Sequence, residues 1–292
     1  MDANQMDFSN ETGLQTKAIL ARVSIGTWSG RKFDDAATKT VADSFKAQKD
    51  CGRFNKLLVD GDEILNLFRI AARARNTHYD FTLPWNDVGT RLLPTKAYNT
   101  YVAAMNKHGE EFWSEVNKFY DKYPQLIEKR KSQLGDLWKE KDYPSEKDLK
   151  SKYHFELSFA FLPDPASDMR LNLNEVEVEK VRDSVINTMK SVEDRGVKDL
   201  WDRMKGVVSK IAERLGDADK SFKKNIFENI DELNNFVELL NVTDNTDISN
   251  TMNEIKIELT AYEPDKIRKS DKIRKDVHAK ATSILDKISQ FM

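Results

Sequence analysis

Eight residues between positions 98 and 123 follow one another in steps of three or four: Tyr98, Tyr101, Met105, His108, Phe112, Val116, Phe119 and Tyr123. At 3.6 residues per turn, that spacing lays all eight on one face of a helix. A stripe so aromatic has to be covered, so the chain must build a packed core around this helix. Pro94 suits the opening of the helix. Pro124 lacks an amide hydrogen and crowds the preceding turn, which predicts a kink there or an end at Tyr123. A continuation carries Leu126, Ile127, Leu134, Leu137 and Trp138.

Strand patterns lie on both sides of this stretch. Ala18–Ser29 alternates Leu20, Arg22 and Ser24 against Ala21, Val23 and Ile25, as a half-buried strand does, and Gly30 ends it. Tyr153, Phe155, Leu157, Phe159 and Phe161 alternate with His154, Glu156, Ser158 and Ala160, the clearest strand in the chain. Met169, Leu171 and Leu173 suggest a short third strand. The strand at 21–28 is the natural partner of the one at 153–161, because a two-stranded ribbon alone is marginal. Helices are expected from Asp34 towards Asp50 and over Phe54–Arg75. After Asn174 the pattern predicts helices at 175–194, 197–215, 219–240, 247–262 and 265–290, separated by Gly196, Gly216, the Asn241–Asp247 cluster and Pro264.

These elements predict a mostly α protein with a small antiparallel β element, elongated and rich in coiled-coil hairpins. The expected organisation is a flexible arm over 1–17, an α+β unit over 18–174 and a helical bundle over 175–292. Ile248, Met252, Ile255, Leu259 and Tyr262 keep coiled-coil spacing, as do Ile273, Val277, Ala281, Ile284 and Ile288. Residues 225–264 carry nine acidic side chains and one basic, whereas 265–292 carry eight basic and four acidic. A hairpin turning at Glu263-Pro264 would set opposite charges beside one seam.

Composition narrows the function classes. The net charge is -2 and both halves are near neutral, so no global field gathers nucleic acid or anionic lipid. Cys51 is the only cysteine, which excludes an internal disulfide and cysteine-rich metal sites. The N-terminal stretch has no basic start with an apolar core, and no apolar run approaches the roughly 20 residues that cross a bilayer. A soluble, cytoplasmic chain is expected. Phosphate-binding loops, dinucleotide fingerprints, zinc-helix pairs and nucleophile elbows are all missing from the sequence. His78, His108, His154 and His278 have no ligand-like spacing. His108 reads as a packed, hydrogen-bonded histidine and His154 as a solvated one.

The stretch His78–Pro94 is the best functional candidate, since loops carry binding residues more often than helices. Trp85, Asn86, Asp87 and Arg91 are its candidate contact residues, with Tyr79. Phe81, Leu83, Trp85, Leu92 and Leu93 could equally plug the gap between the second helix and the aromatic helix. Arg73 and Arg75 could grip phosphates beside Tyr79 and Trp85, as a single-strand binder would. More often, arginines at a helix C-terminus complement its dipole and pair with nearby carboxylates. Asp-Lys-Ile-Arg-Lys occurs twice between Asp265 and Lys275, six residues apart, so the copies point to different faces and build no single basic stripe.

The runs Arg73-Ala-Arg-Asn-Thr-His-Tyr79, Thr82-Leu-Pro-Trp85, Gly89-Thr-Arg-Leu-Leu-Pro94, Tyr98-Asn-Thr-Tyr101 and Phe119-Tyr-Asp-Lys-Tyr123 resemble an uncharacterised family of phage and prophage proteins. Phe159-Ala-Phe-Leu-Pro163 and Met169-Arg-Leu171 fit the same pattern. The resemblance covers most of 20–190, and its motifs are structural. Members are often encoded beside a MoxR-type AAA+ ATPase and a von Willebrand A/CobT-like protein. It implies an accessory or adaptor in a phage ATPase system, at work in the cytoplasm of an infected or lysogenic bacterial host. The expected function is therefore non-enzymatic protein–protein binding, without a cofactor or a metal. The alternatives are a nucleic-acid-binding accessory, a virion component and an inhibitor of host defence.

Overall fold

The computed structural model describes residues 13–86, 89–164, 174–217 and 225–292. In chain order the elements are α1 (Leu14–Lys17), β1 (Ala18–Gly26), β2 (Arg31–Phe33), α2 (Asp35–Ser44), β3 (Asn55–Leu57), α3 (Gly61–Asp80), β4 (Leu83–Pro84) and β5 (Thr90–Pro94). They continue as α4 (Tyr98–Leu134), α5 (Glu146–Lys150), β6 (His154–Ala160), α6 (Glu175–Gly216), α7 (Asn225–Leu240), α8 (Thr246–Leu259), α9 (Pro264–Lys269) and α10 (Asp271–Ser289). The protein is mostly helical, with a four-stranded sheet ordered β4-β5-β1-β6 and a separate ribbon of β2 and β3. β6 lies next to β1, as its alternation predicts.

The chain forms two compact units, each assembled from separated stretches. One comprises Met1–Arg22, Tyr79–Thr100 and Ser158–Met292; the other comprises Val23–His78 and Tyr101–Leu157. The division thus departs from the boundary expected at residue 174. Of the arm expected at 1–17, Leu14–Lys17 forms a helical turn with Leu14 buried. Residues 1–12 and the strand expected at 169–173 lie outside the described residues.

The first unit is built around α6, a helix of 42 residues whose buried face runs Met189, Val192, Leu200, Trp201, Met204, Val208, Ile211 and Leu215. Against it pack Ile230, Val237 and Leu240 of α7, Ile248, Ile255 and Leu259 of α8, and Val277, Ala281, Ile284 and Ile288 of α10. Both coiled-coil stripes are therefore buried, within one bundle. Lys280–Glu258 (2.7 Å) and Lys287–Glu254 (2.6 Å) join α10 to α8, so the expected opposite charges do flank the seam.

In this region one predicted break is absent and one unpredicted break appears. Gly196 does not divide α6. A Cβ there would lie 3.2 Å from the Leu83 side chain, so the glycine admits β4 against the helix and costs the helix only about 0.5–1 kcal/mol. The segment 265–290 is instead broken at Ser270. Its extended backbone ends α9, and its hydroxyl caps α10 by accepting from the Ile273 amide. Serine followed by Asp271 is an ordinary helix-start signal.

The second unit holds the aromatic stripe. Phe112, Val116, Phe119, Tyr123 and Leu126 of α4 pack with Trp28, Leu58, Val59, Ile64, Leu67, Ile70, Leu149 and Tyr153. α4 continues through Pro124 over its 37 residues, so the end expected at Tyr123 does not occur. The proline costs it about 3 kcal/mol. Burial of Tyr123 and Leu126 on either side, with the Tyr123 hydroxyl donating to the Pro144 carbonyl, offsets that. The helix expected over Phe54–Arg75 begins only at Gly61, because Asn55–Leu57 pairs with Arg31–Phe33 as a ribbon. It then continues through His78 to Asp80. Gly30, at φ +64, turns the chain into β2 at a point where a Cβ would meet Val59 at 2.8 Å. The alternation of β6 matches burial only at its start, since Phe159 is 40% exposed and Phe161 90%.

Candidate functional site: the α2 cleft

The second unit carries an apolar cleft of about 280 Å³ at the C-terminal end of α2. Asp34 starts this corner. Its Oδ1 accepts from the Ala37 amide and caps α2, and its backbone amide donates to the Phe54 carbonyl at 3.0 Å. Thr38, one turn on, accepts from the Phe54 amide at 3.0 Å while its hydroxyl donates to the Asp34 carbonyl. The helix and the segment returning to β3 are thus stitched together along one side. The helix ends at Ser44 with Phe45 as its cap, and Lys46, at φ +50, turns the chain so that the Ala47 amide donates to the Ala42 carbonyl.

Between these two anchors the chain is open. Val41 and Phe45, four residues apart on α2, face the cleft with Thr38 and Ala42; Ala47, Gln48, Cys51, Gly52, Arg53 and Phe54 form its other wall. Phe45 is 80% exposed and Val41 48%. The guanidinium carbon of Arg53 lies 4.6 Å from the centre of the Phe33 ring. Cys51 is a free, exposed thiol.

Beneath the cleft, Lys56 is buried and donates to Asp34 Oδ2 (2.9 Å) and to the Leu137 carbonyl (2.8 Å), with Asp142 completing an ion cluster. The helix-start amide of Ala37, then Lys56, hold the Asp34 carboxyl down to about 2. Burial acts to lower Lys56, but the hydrogen bonds it donates to the Asp142 and Asp34 carboxylates outweigh that and raise it. This cluster ties β3 to the start of α2 and to the segment carrying Leu137 and Asp142.

The residues singled out from sequence go to different places. Arg73 pairs with Glu111 at 2.6 Å and Arg75 donates to the Ile25 carbonyl at 2.9 Å, both inside the second unit. The other described members belong to the first unit. Tyr79 and Arg91 come together, the guanidinium 4.8 Å from the ring centre. Arg91 also donates to the Thr82 hydroxyl and carbonyl. Trp85 packs against the bundle core and its carbonyl accepts from Arg195. Asn86 is exposed, and Asp87 lies outside the described residues.

The expected loop is in fact the end of α3 followed by the β4–β5 hairpin. Its apolar residues do plug a core, but the plug faces the bundle. Leu83 and Leu92 are buried in the α6 core, and Phe81 meets Phe236 of α7 edge-on at 5.2 Å. Arg203 of α6 locks the turn by donating to the carbonyls of Tyr79, Asp80 and Thr82.

The histidines are engaged as well. His78 Nδ1 lies 2.8 Å from the Tyr101 hydroxyl and His108 Nε2 lies 2.9 Å from the Thr77 hydroxyl. His154, expected in solvent, is half-buried with Nε2 2.9 Å from Ser24 Oγ. Among the described residues no group of His, Cys, Asp and Glu could hold a metal ion. Nor, among them, is any helix long and apolar enough to cross a membrane.

Sequence reasoning passed over the cleft. Val41 and Phe45 make a short apolar stripe on a helix with only Thr38 buried, so the stripe had nothing left to pack against. Compared with known proteins, the chain matches no family model, no curated protein and no solved structure.

Proposed function

We infer that the protein is a non-enzymatic adaptor that binds another protein through the α2 cleft. One observation carries this reading. Phe45 and Val41 stand exposed beside an apolar hollow whose walls are fixed by backbone hydrogen bonds and by a buried ion cluster. Apolar side chains left uncovered around a preformed hollow are the usual mark of a surface that another molecule covers. The cleft offers apolar walls and one guanidinium, which suits binding more than bond-making.

The partner implied by the phage-family resemblance is a MoxR-type AAA+ ATPase. A nucleic-acid role has less support, because Arg73, Arg75 and Arg91 each already hold a protein acceptor.

The test is co-purification of the intact chain with the ATPase encoded in the same genome, beside a Val41→Asp/Phe45→Asp double variant. Both side chains are exposed, so the variant keeps its thermal midpoint, and retention of the ATPase should fall at least tenfold. Equal retention by the two proteins would refute the cleft as the binding surface.

A further inference from the structure

We propose that the α2 cleft selects a peptide segment presenting one large apolar side chain next to a carboxylate. This rests on the adaptor reading above and adds the chemistry of the partner.

Among the described residues, Arg53 is the one formally charged residue lining the cleft. Its guanidinium is held over Phe33, and among the described residues it makes no ion pair with a carboxylate. A guanidinium resting on an aromatic ring keeps N–H groups for an acceptor, and its fork matches a carboxylate in geometry. Phe45, Val41 and Phe54 supply apolar surface in the same lining, whose side-chain acceptors, on Thr38 and Gln48, are neutral. The wider surface agrees in sign. Arg31, Lys32, Lys39 and Lys46 are exposed along this corner with Arg53, against Asp35, Asp43 and Asp50. A chain of net charge -2 therefore carries a small local excess of basic over acidic side chains across residues 31–53. The complementary ligand is apolar at its centre and acidic at its flank. A phosphate backbone would gain the charge but leave Phe45 and Val41 uncovered.

The test uses the full chain and three synthetic fluorescein-labelled peptides sharing a Leu-Phe-Leu centre, flanked by Asp, by Ser or by Lys. Fluorescence polarisation should rank the Asp-flanked peptide first and the Lys-flanked one last. Arg53→Glu should lower the affinity for the Asp-flanked peptide about tenfold or more and raise that for the Lys-flanked one. Because Cys51 lines the same cleft, the Asp-flanked peptide should also slow maleimide labelling of the intact protein, which places binding there.

Equal affinity for all three peptides, unchanged by Arg53→Glu, would overturn the selection for acid while leaving the adaptor reading in place. Failure of all three peptides to bind would overturn it too, with the adaptor reading then judged by the ATPase co-purification. Salt-sensitive binding of a single-stranded oligonucleotide that Arg53→Glu abolishes would overturn both in favour of a nucleic-acid site.

Discussion

At the scale of single residues, charged side chains act on backbone more than on one another. Arg274 donates to the carbonyls of Leu215, Arg214 and Asp217, where α6 has run out of internal partners. Its charge also sits at the negative end of the helix dipole. The basic repeat in the sequence suggests a solvated face, and Lys272 does lie in solvent. Arg274→Ala should cost about 1–3 kcal/mol in urea unfolding, because it strips charge-assisted hydrogen bonds from half-buried carbonyls. Lys272→Ala should stay within about 0.5 kcal/mol, as exposed surface changes do. Similar losses for the two would mean that Arg274 does not cap α6.

Asp34 gives a second residue-level expectation. Its folded carboxyl titrates at about 2 against an ordinary 3.8, a depressed value. The folded state therefore gains from the ionised form above the ordinary value and loses that gain as pH falls towards 2. Asp34→Asn should leave a smaller drop in thermal midpoint between about pH 4 and pH 2 than the parent shows. An unchanged acid limb would show that the cap and the Lys56 contact are not what stabilises this corner.

At the scale of elements, packing decides more than charge. Ile284 of α10 is 1% exposed in the bundle core, so Ile284→Ala should cost about 2–4 kcal/mol through lost burial and a residual cavity. Lys280 and Lys287 pair with Glu258 and Glu254 at partly exposed positions, and Lys280→Ala should cost no more than about 1 kcal/mol. Chemical denaturation of both variants checks the order; a larger loss from Lys280→Ala would reverse it. The elements legible in the sequence were those whose periodicity reports burial directly: the α4 stripe, β1, and the two stripes of α8 and α10. The misread ones share a cause. Pro124 and Gly196 are breakers in isolation, but burial on both sides carries the helix across them. Asn55–Leu57 reads as helix until its partner Arg31–Phe33 is known, and that pairing spans residues no local pattern connects. The α2 cleft escaped for the opposite reason, since a stripe that packs against nothing looks the same in sequence as one that packs.

At the scale of the whole molecule, the two cores draw on separated stretches of chain. Leu14, Ala18, Leu83 and Leu92 belong to the same core as the helices beyond residue 174. A fragment of residues 175–292 would leave that core open at these positions and at Leu162. It should bind anilinonaphthalene sulfonate and lack near-ultraviolet dichroism, as loosely packed helical states do. A cooperative melt at the temperature of the intact chain would show the bundle to be self-sufficient.

The interleaving also sets an order in time. A ribosome releases residues from the N-terminal end, and domains close as their parts emerge. The second unit has everything it needs once residue 157 is out. The first unit offers Leu14 and β1 as far as Arg22, then waits for α10 near position 289 before its core can close. During that interval the α2 cleft is already assembled while the bundle is not, so a partner able to recognise the cleft could engage the nascent chain before synthesis ends.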